Sequence, residues 1–178
     1  VEATIADNDN PAAVNLSINP QQGSEADQTE FTLTATASEE VTGEQTVEVT
    51  TSGVNGNDFT GDLPTEIIIA DGDTTGEVTL TVADDSEVEG EETATFAISN
   101  PSDGLDLGDN VEVSAAIADN DQAPEIPADQ RFSYEENQEA EFEIGTVAAE
   151  DNVGVTGFTI ASGNDQGFFD IDDNGLLT

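Results

Sequence analysis

Seven short runs of alternating apolar and polar residues lie between residues 11 and 121. An apolar side chain at every second position is typical of a β-strand with one buried face. No stretch of twelve or more residues has a helical period. Seven strands in about 110 residues favour an antiparallel, immunoglobulin-like β-sandwich. The apolar residues of the predicted strands are Val14-Leu16-Ile18, Phe31-Leu33-Ala35-Ala37, Val47-Val49, Ile67-Ile69, Val78-Leu80-Val82, Ala94-Phe96-Ile98 and Val111-Val113-Ala115-Ile117.

A nine-residue repeat marks the boundaries of this module. Residues 1–9 read VEATIADND and residues 113–121 read VSAAIADND, which are identical at seven of nine positions with an offset of 112. An offset of this length corresponds to a whole module and not to one turn of a solenoid. We therefore interpret residues 1–10 as the tail strand of a preceding module and residues 11–121 as one complete copy.

The composition changes after Pro124. Residues 125–178 contain six of the nine aromatic residues and four or five short apolar runs. About 55 residues are few for a sandwich of this kind. We expect residues 122–178 to form an incomplete second module, a partial second β-sandwich.

The chain is strongly acidic, with 41 Asp and Glu residues, a single Lys or Arg (Arg131) and a formal net charge of −40. Nucleic acids and anionic membrane surfaces are excluded as partners, because phosphate binding needs Lys and Arg. No apolar stretch reaches the length of a membrane span, so membrane insertion is not expected. High net charge can indicate disorder, but the recurrent alternation favours a folded chain. Such a fold needs screening by salt or bound divalent cations.

Acidic residues gather in the loops at predicted strand ends. Alternate loops of a sandwich meet at one end, so carboxylates distant in sequence can converge there. Converging carboxylates without Lys or Arg stay ionised only if a cation binds, and otherwise their pKa values rise. Ca²⁺ accepts six to eight oxygen ligands, whereas zinc and copper favour His and Cys, which the sequence lacks. We therefore expect Ca²⁺, with a solvated acidic face as the alternative.

The acidic pattern resembles the Calx-β family over about 110 residues. Its marks are Glu25, Asn57-Asp58-Phe59, Asp84-Asp85-Ser86, Glu89-Gly90 with Glu92, and Ala118-Asp119-Asn120-Asp121. The resemblance implies a seven-stranded sandwich with calcium sites at one tip. The ligands that it implies are Glu25, Asp58, Asp84, Asp85, Glu89, Glu92, Asp119 and Asp121. Asn120 stands where the sodium–calcium exchangers of this family have a third acid, which leaves the number of ions open.

The second segment resembles a bacterial cadherin-like repeat. Its marks include Glu136-Asn137, Ala149-Glu150-Asp151 and Phe169-Asp170-Ile171-Asp172. The resemblance implies a junction site formed by Asn120, Asp121, Glu136 and Asp151. Asp121 is then claimed by both modules, and the sequence does not decide between them. Residues 170–175 also fit the first half of an EF-hand loop, but no helix precedes them and an Asn-Gly hairpin turn explains them better.

Catalysis has little support in this sequence. Nucleophilic triads are impossible without His or Cys, and there is no Gly-Lys phosphate loop. A paired-carboxylate glycosidase would need aromatics in a cleft, but Phe31, Phe59 and Phe96 occupy strand positions typical of a core. We therefore expect no enzyme activity.

The function that we expect is that of a calcium-binding structural or adhesion module in a large repetitive protein, secreted or on a bacterial cell surface. Calcium would make the loops and the junctions with neighbouring modules rigid. Two alternatives stay open. One is a calcium-dependent module that binds a cell-surface glycan or protein, and the other is a regulatory calcium sensor.

Overall fold

The computed structural model describes residues 10–178. The chain forms two compact units, which meet in sequence between Asn120 and Asp121. The predicted tail strand at residues 1–10 lies outside the described residues except for Asn10. No helix among residues 10–178 qualifies as a candidate membrane span.

The first unit contains ten strands within its described residues. They are β1 (Ala12–Asn19), β2 (Gln22–Ser24), β3 (Glu30–Ala37), β4 (Gln45–Ser52), β5 (Phe59–Thr60), β6 (Glu66–Ile69), β7 (Thr75–Val82), β8 (Glu92–Ser99), β9 (Leu105–Leu107) and β10 (Glu112–Ala118). They form two five-stranded sheets with the orders β5-β7-β3-β1-β9 and β2-β10-β8-β4-β6. The all-β prediction is confirmed.

The strand count and the pairing differ in part from the prediction. All seven predicted strands are present, but β2, β5 and β9 raise the count to ten. These three have only two or three residues each, which is too short for alternation to reveal a strand. Most pairs are antiparallel, whereas β1 pairs with β9 and β10 pairs with β2 in parallel.

The core lies between the two sheets because alternate side chains of each strand point to it. In β3, Phe31, Leu33 and Ala35 are fully buried, while the residues between them are less so. Phe96 of the opposite sheet is also fully buried and packs edge-to-face on Phe59, with ring centroids 6.3 Å apart. Burying one such side chain contributes about 1.5–3 kcal/mol, so this shared core holds the sheets together.

Strands β1 and β10 run in the same direction through the first unit. The N–H of Leu16 donates to the carbonyl of Asn110, just before β10 begins. Further along, Ala116 of β10 pairs with Gln22, just after β1 ends. The chain therefore enters the sandwich at one end and leaves β10 at the other.

The second unit has little regular structure. Its strands are β11 (Gly145–Thr146) and β12 (Leu176–Leu177), which pair antiparallel. Asp121 and Gly175 are the only buried residues of this unit, and large apolar side chains such as Phe168 are exposed. The predicted partial second sandwich, with four or five strands, is not confirmed. The reason is visible in the burial pattern, since the apolar runs of this unit do not alternate between buried and exposed positions.

Candidate metal centre

Strand pairing brings the acidic loops of the first unit to one end of the sandwich. Glu92, the first residue of β8, lies opposite Ile117 near the end of β10. Phe59 of β5 lies opposite Val82 at the end of β7. The residues that precede Phe59 and those that follow Val82 and β10 therefore meet at the end where the chain leaves the sandwich.

Asp58, Glu89 and Glu92 form the first group of carboxylates. One side-chain oxygen of each lies within 4.8 Å of the other two. Asp58 is only 3% exposed, and its Oδ2 accepts the N–H of Asn55. Asp58 Oδ1 and Glu92 Oε2 are buried and have no hydrogen-bond partner. These two oxygens are therefore able to accept a hydrogen bond or to bind a cation.

Burial and the neighbouring negative charges raise the pKa values of the two glutamates in this group. Burial raises the pKa of Glu89 above its usual 4.5, and the negative charges of Asp58 and Glu92 raise it further. The pKa of Glu92 is raised by burial, by the charge of Asp58 and by a hydrogen bond that protonated Glu92 can share with Asp58. The single cationic side chain of the protein, Arg131, belongs to the second unit. No cationic side chain of the first unit therefore offsets the negative charge of this group.

Glu25 and Asp119 form a second group in the first unit. A side-chain oxygen of Glu25 lies within 4.8 Å of one of Asp119. Glu25 is buried, at 4% exposure, and its N–H donates to the carbonyl of Ala118 at 3.1 Å. Asp119 directly follows β10, and its Oδ2 accepts the N–H groups of Glu89 at 2.8 Å and Gly90 at 2.7 Å.

The loop between β7 and β8 supplies Glu89 to the first group. Gly90 has a φ of +81°, in the left-handed region that favours glycine. At the root of the loop the N–H of Ala83 donates to the carbonyl of Asp58 at 3.0 Å. Asp85 Oδ1 accepts the N–H of Glu87 at 2.7 Å, a local turn.

The remaining predicted ligands lie outside these two groups. Asp84 and Asp85 are exposed in the β7–β8 loop. Asn120 is half-buried, and its Nδ2 donates to Asp84 Oδ1 at 3.3 Å. In the second unit Glu136 is exposed, and half-buried Asp151 accepts the N–H groups of Val153 and Gly154 on Oδ1.

Two asparagines that the sequence analysis did not single out hold site residues in place. Asn55 binds Asp58 through its backbone, and its own Oδ1 accepts the N–H of Asn57 at 2.7 Å. Asn152 Nδ2 donates to Asp121 Oδ1 at 3.1 Å. The residues around Asn55, Asn-Gly-Asn-Asp at positions 55–58, are of types common in turns, whereas no local pattern marks Asn152.

The first group fits a hard divalent cation. Ca²⁺ binds oxygen at about 2.3–2.6 Å, so two oxygens on one ion lie at most about 4.6–5.2 Å apart. The carboxylate oxygens of the group lie within 4.8 Å of one another, which is short enough for all three to bind the same ion. Carboxylates are also the donors that calcium prefers. Asp58, Glu89 and Glu92 can therefore hold one such ion, with water or carbonyl oxygens completing its shell.

Comparison with known proteins gives a match in structure but not in sequence. No family model and no curated protein matches the sequence. The apo form of the Calx CBD1 domain is 20% identical and aligns with a TM-score of 0.50, over 61% of this chain and 99% of that domain. The calcium binding domain CBD12 of CALX1.1 is 21% identical with a TM-score of 0.48, over 59% of this chain. The chain spans 44% of the CBD12 length.

A third solved structure, the Calx CBD2 domain, is 11% identical with a TM-score of 0.45, over 59% of this chain and 86% of that domain. The cadherin-like interpretation of residues 122–178 is not confirmed by these comparisons. At these identities the likeness concerns the fold. The all-β chain thus contains the immunoglobulin-like sandwich of the Calx-β domains, as the CBD1 alignment shows.

Proposed function

We propose that this chain is a calcium-binding structural module of a repetitive extracellular protein. The observation that carries the proposal is the buried carboxylate of Asp58. Its Oδ1 has no hydrogen-bond partner, and the carboxylate is grouped with those of Glu89 and Glu92 in a unit without Lys, Arg or His. Leaving a buried charge without compensation is costly, and a divalent cation attracts all three carboxylates and neutralises most of their charge.

The proposed ligands fall into four sets. Asp58, Glu89 and Glu92 bind one ion, and Glu25, Asp119 and Asp121 are further calcium ligands. Asp84 and Asp85 join them from the exposed part of the same loop. The predicted junction ligands Asn120, Glu136 and Asp151 belong to the same proposal. The fold likeness to the Calx CBD1 domain agrees with the Calx-β resemblance of these residues.

A structural role follows from where the ligands come from. Asp58, Glu89 and Glu92 belong to segments that precede β5, follow β7 and begin β8. An ion that binds all three ties these segments together and stabilises the folded state by mass action. The repeat of residues 1–9 at positions 113–121 supports a tandem array in which each module carries such an end. We place the parent protein outside the cell, where calcium is abundant, and the array in adhesion with glycan or protein partners at its far end.

The proposal is tested by equilibrium dialysis of the full chain against calcium after treatment with EDTA. We expect a dissociation constant of about 10⁻⁴–10⁻³ M, as in other extracellular calcium modules. The double variant Glu89→Gln/Glu92→Gln should lose the ion at the first group. The control Glu66→Gln/Glu112→Gln removes two exposed charges and should bind like the parent.

Absence of calcium binding up to about 10 mM would contradict the proposal. A dissociation constant at or below about 10⁻⁵ M would instead favour the regulatory sensor. Glycan binding that disappears with EDTA would favour the calcium-dependent lectin-like alternative.

A further inference from the structure

The short segment after β10 is hydrogen-bonded to the loop between β7 and β8. Asp119 Oδ2 accepts the N–H groups of Glu89 at 2.8 Å and Gly90 at 2.7 Å. Asn120 Nδ2 donates to Asp84 Oδ1 at 3.3 Å. The partners are 29 to 36 residues apart in sequence, so these are tertiary contacts. We call Asp119 and Asn120 the latch.

The loop is held at different points by different contacts. Its root is attached through the N–H of Ala83 to the carbonyl of Asp58, and Asp85 accepts the local N–H of Glu87. The distal half, which carries Glu89, is held by the two bonds to Asp119. Hydrogen bonds from N–H groups to a carboxylate are among the stronger ones in proteins.

Gly90 allows this contact. Its φ of +81° lies in the left-handed region, and a side chain other than glycine would be strained there. Two successive N–H groups, those of Glu89 and Gly90, thereby point to one carboxylate oxygen. The backbone conformation of the loop and the position of Asp119 are therefore matched to each other.

We propose that Asp119 is a positioning residue for the Asp58–Glu89–Glu92 group, and this proposal rests on the proposed calcium function of that group. Without an ion, Glu89 is repelled by Asp58 and Glu92, which favours loop conformations that move it away. The two bonds to Asp119 oppose this movement and keep Glu89 in the binding geometry. Preorganisation of this kind lowers the cost of binding. Asn120 assists because its amide donates to Asp84, whereas an aspartate at this position would repel Asp84.

Hydrogen exchange of the full chain in EDTA tests the latch without any metal. Asp119→Asn keeps an oxygen acceptor at the same place but removes the charge. Asp119→Glu keeps the charge but moves the acceptor by about 1.5 Å, one C–C bond. We expect the amides of Glu89 and Gly90 to exchange at least about tenfold faster in Asp119→Glu than in the parent, and to be accelerated by a smaller factor in Asp119→Asn, which keeps the acceptor but loses the charge.

The matched controls are Asp106→Asn and Asp106→Glu, at an exposed position of β9, and they should leave both amides unchanged. Equal exchange in the parent and Asp119→Glu, or faster exchange in Asp119→Asn than in Asp119→Glu, would overturn the proposal. Calcium dialysis with the parent protein is a separate measurement. A chain that binds no calcium but shows the expected exchange pattern refutes the proposed function and not the latch, and the reverse result refutes only the latch.

Discussion

Replacing Asp58 by asparagine should stabilise the metal-free protein and remove most of its response to calcium. Asp58 is 3% exposed, and its Oδ2 accepts the N–H of Asn55. In Asp58→Asn the amide oxygen can keep that bond while the NH₂ group takes the place of Oδ1 and donates to Glu92. The substitution thus changes one charge with little change in shape.

The magnitude follows from the spacing of the charges. The carboxylate oxygens of the group lie within 4.8 Å of one another. At 4.8 Å, two unit negative charges repel each other by about 1 kcal/mol at the dielectric constant of water and by about 3.5 kcal/mol at an effective constant of 20. Glu89 and Glu92 are partly exposed, so solvent screening places both pairs near the lower value. Relieving two pairs gives about 2 kcal/mol, or a rise in Tm of about 4–8 °C for a chain of this size.

Calcium should stabilise the parent protein much more than the Asp58→Asn variant. An ion at about a hundred times its dissociation constant adds about 2.7 kcal/mol to the parent and little to the variant. Thermal unfolding followed by circular dichroism, in EDTA and in calcium, measures both quantities. Asp62→Asn, at an exposed loop position, is the control for loss of a charge. A lower Tm of Asp58→Asn in EDTA, or an undiminished calcium response, would refute the reasoning.

Three further predictions concern pH, the loop and the core. The pKa values of Glu89 and Glu92 are raised above 4.5 in the folded state. Their contribution to the stability of the metal-free protein is therefore full below pH 4.5 and is lost as the pH rises through the raised pKa values. Urea unfolding in EDTA should show this decline in stability, and the double variant Glu89→Gln/Glu92→Gln should show a smaller decline. Gly90→Ala should lower the free energy of unfolding by about 1–2 kcal/mol because Gly90 has a positive φ. The control Gly56→Ala should be neutral or slightly stabilising in the same assay, because Gly56 has a negative φ and open space around it. Phe96→Ala should cost about 3–5 kcal/mol in urea unfolding because the ring is fully buried, and a cost below about 1 kcal/mol would contradict its place in the core.

The long strands were predictable because local alternation and long-range packing agree there. In β3 the sequence alternates Phe31, Leu33 and Ala35 with threonines, and burial follows the same period. The three short strands were not predictable, since a two-residue strand such as Phe59–Thr60 has no period of its own. Its pairing with β7 depends on contacts far away in sequence.

The site was predictable in composition but not in grouping. The strand-end acids identified Asp58, Glu89 and Glu92 as candidates, and these three do come together. The sequence also predicted Asp84 and Asp85 as calcium ligands, although both are exposed. The difference arises from the loop conformation, which depends on Gly90 and on a carboxylate 29 residues further along the chain. Neither dependence leaves a local pattern in the sequence.

The common direction of β1 and β10 has a mechanical consequence for the sandwich. Force applied to the first unit along the chain would pull β1 from one end and β10 from the other. The hydrogen bonds of both strands lie roughly perpendicular to the strand axes, so such a load acts on each ladder in shear. The hydrogen bonds among the six residue pairs that join β1 to β3 would have to break together instead of one after another. A sandwich connected in this way resists extension along the direction in which a filament would transmit tension.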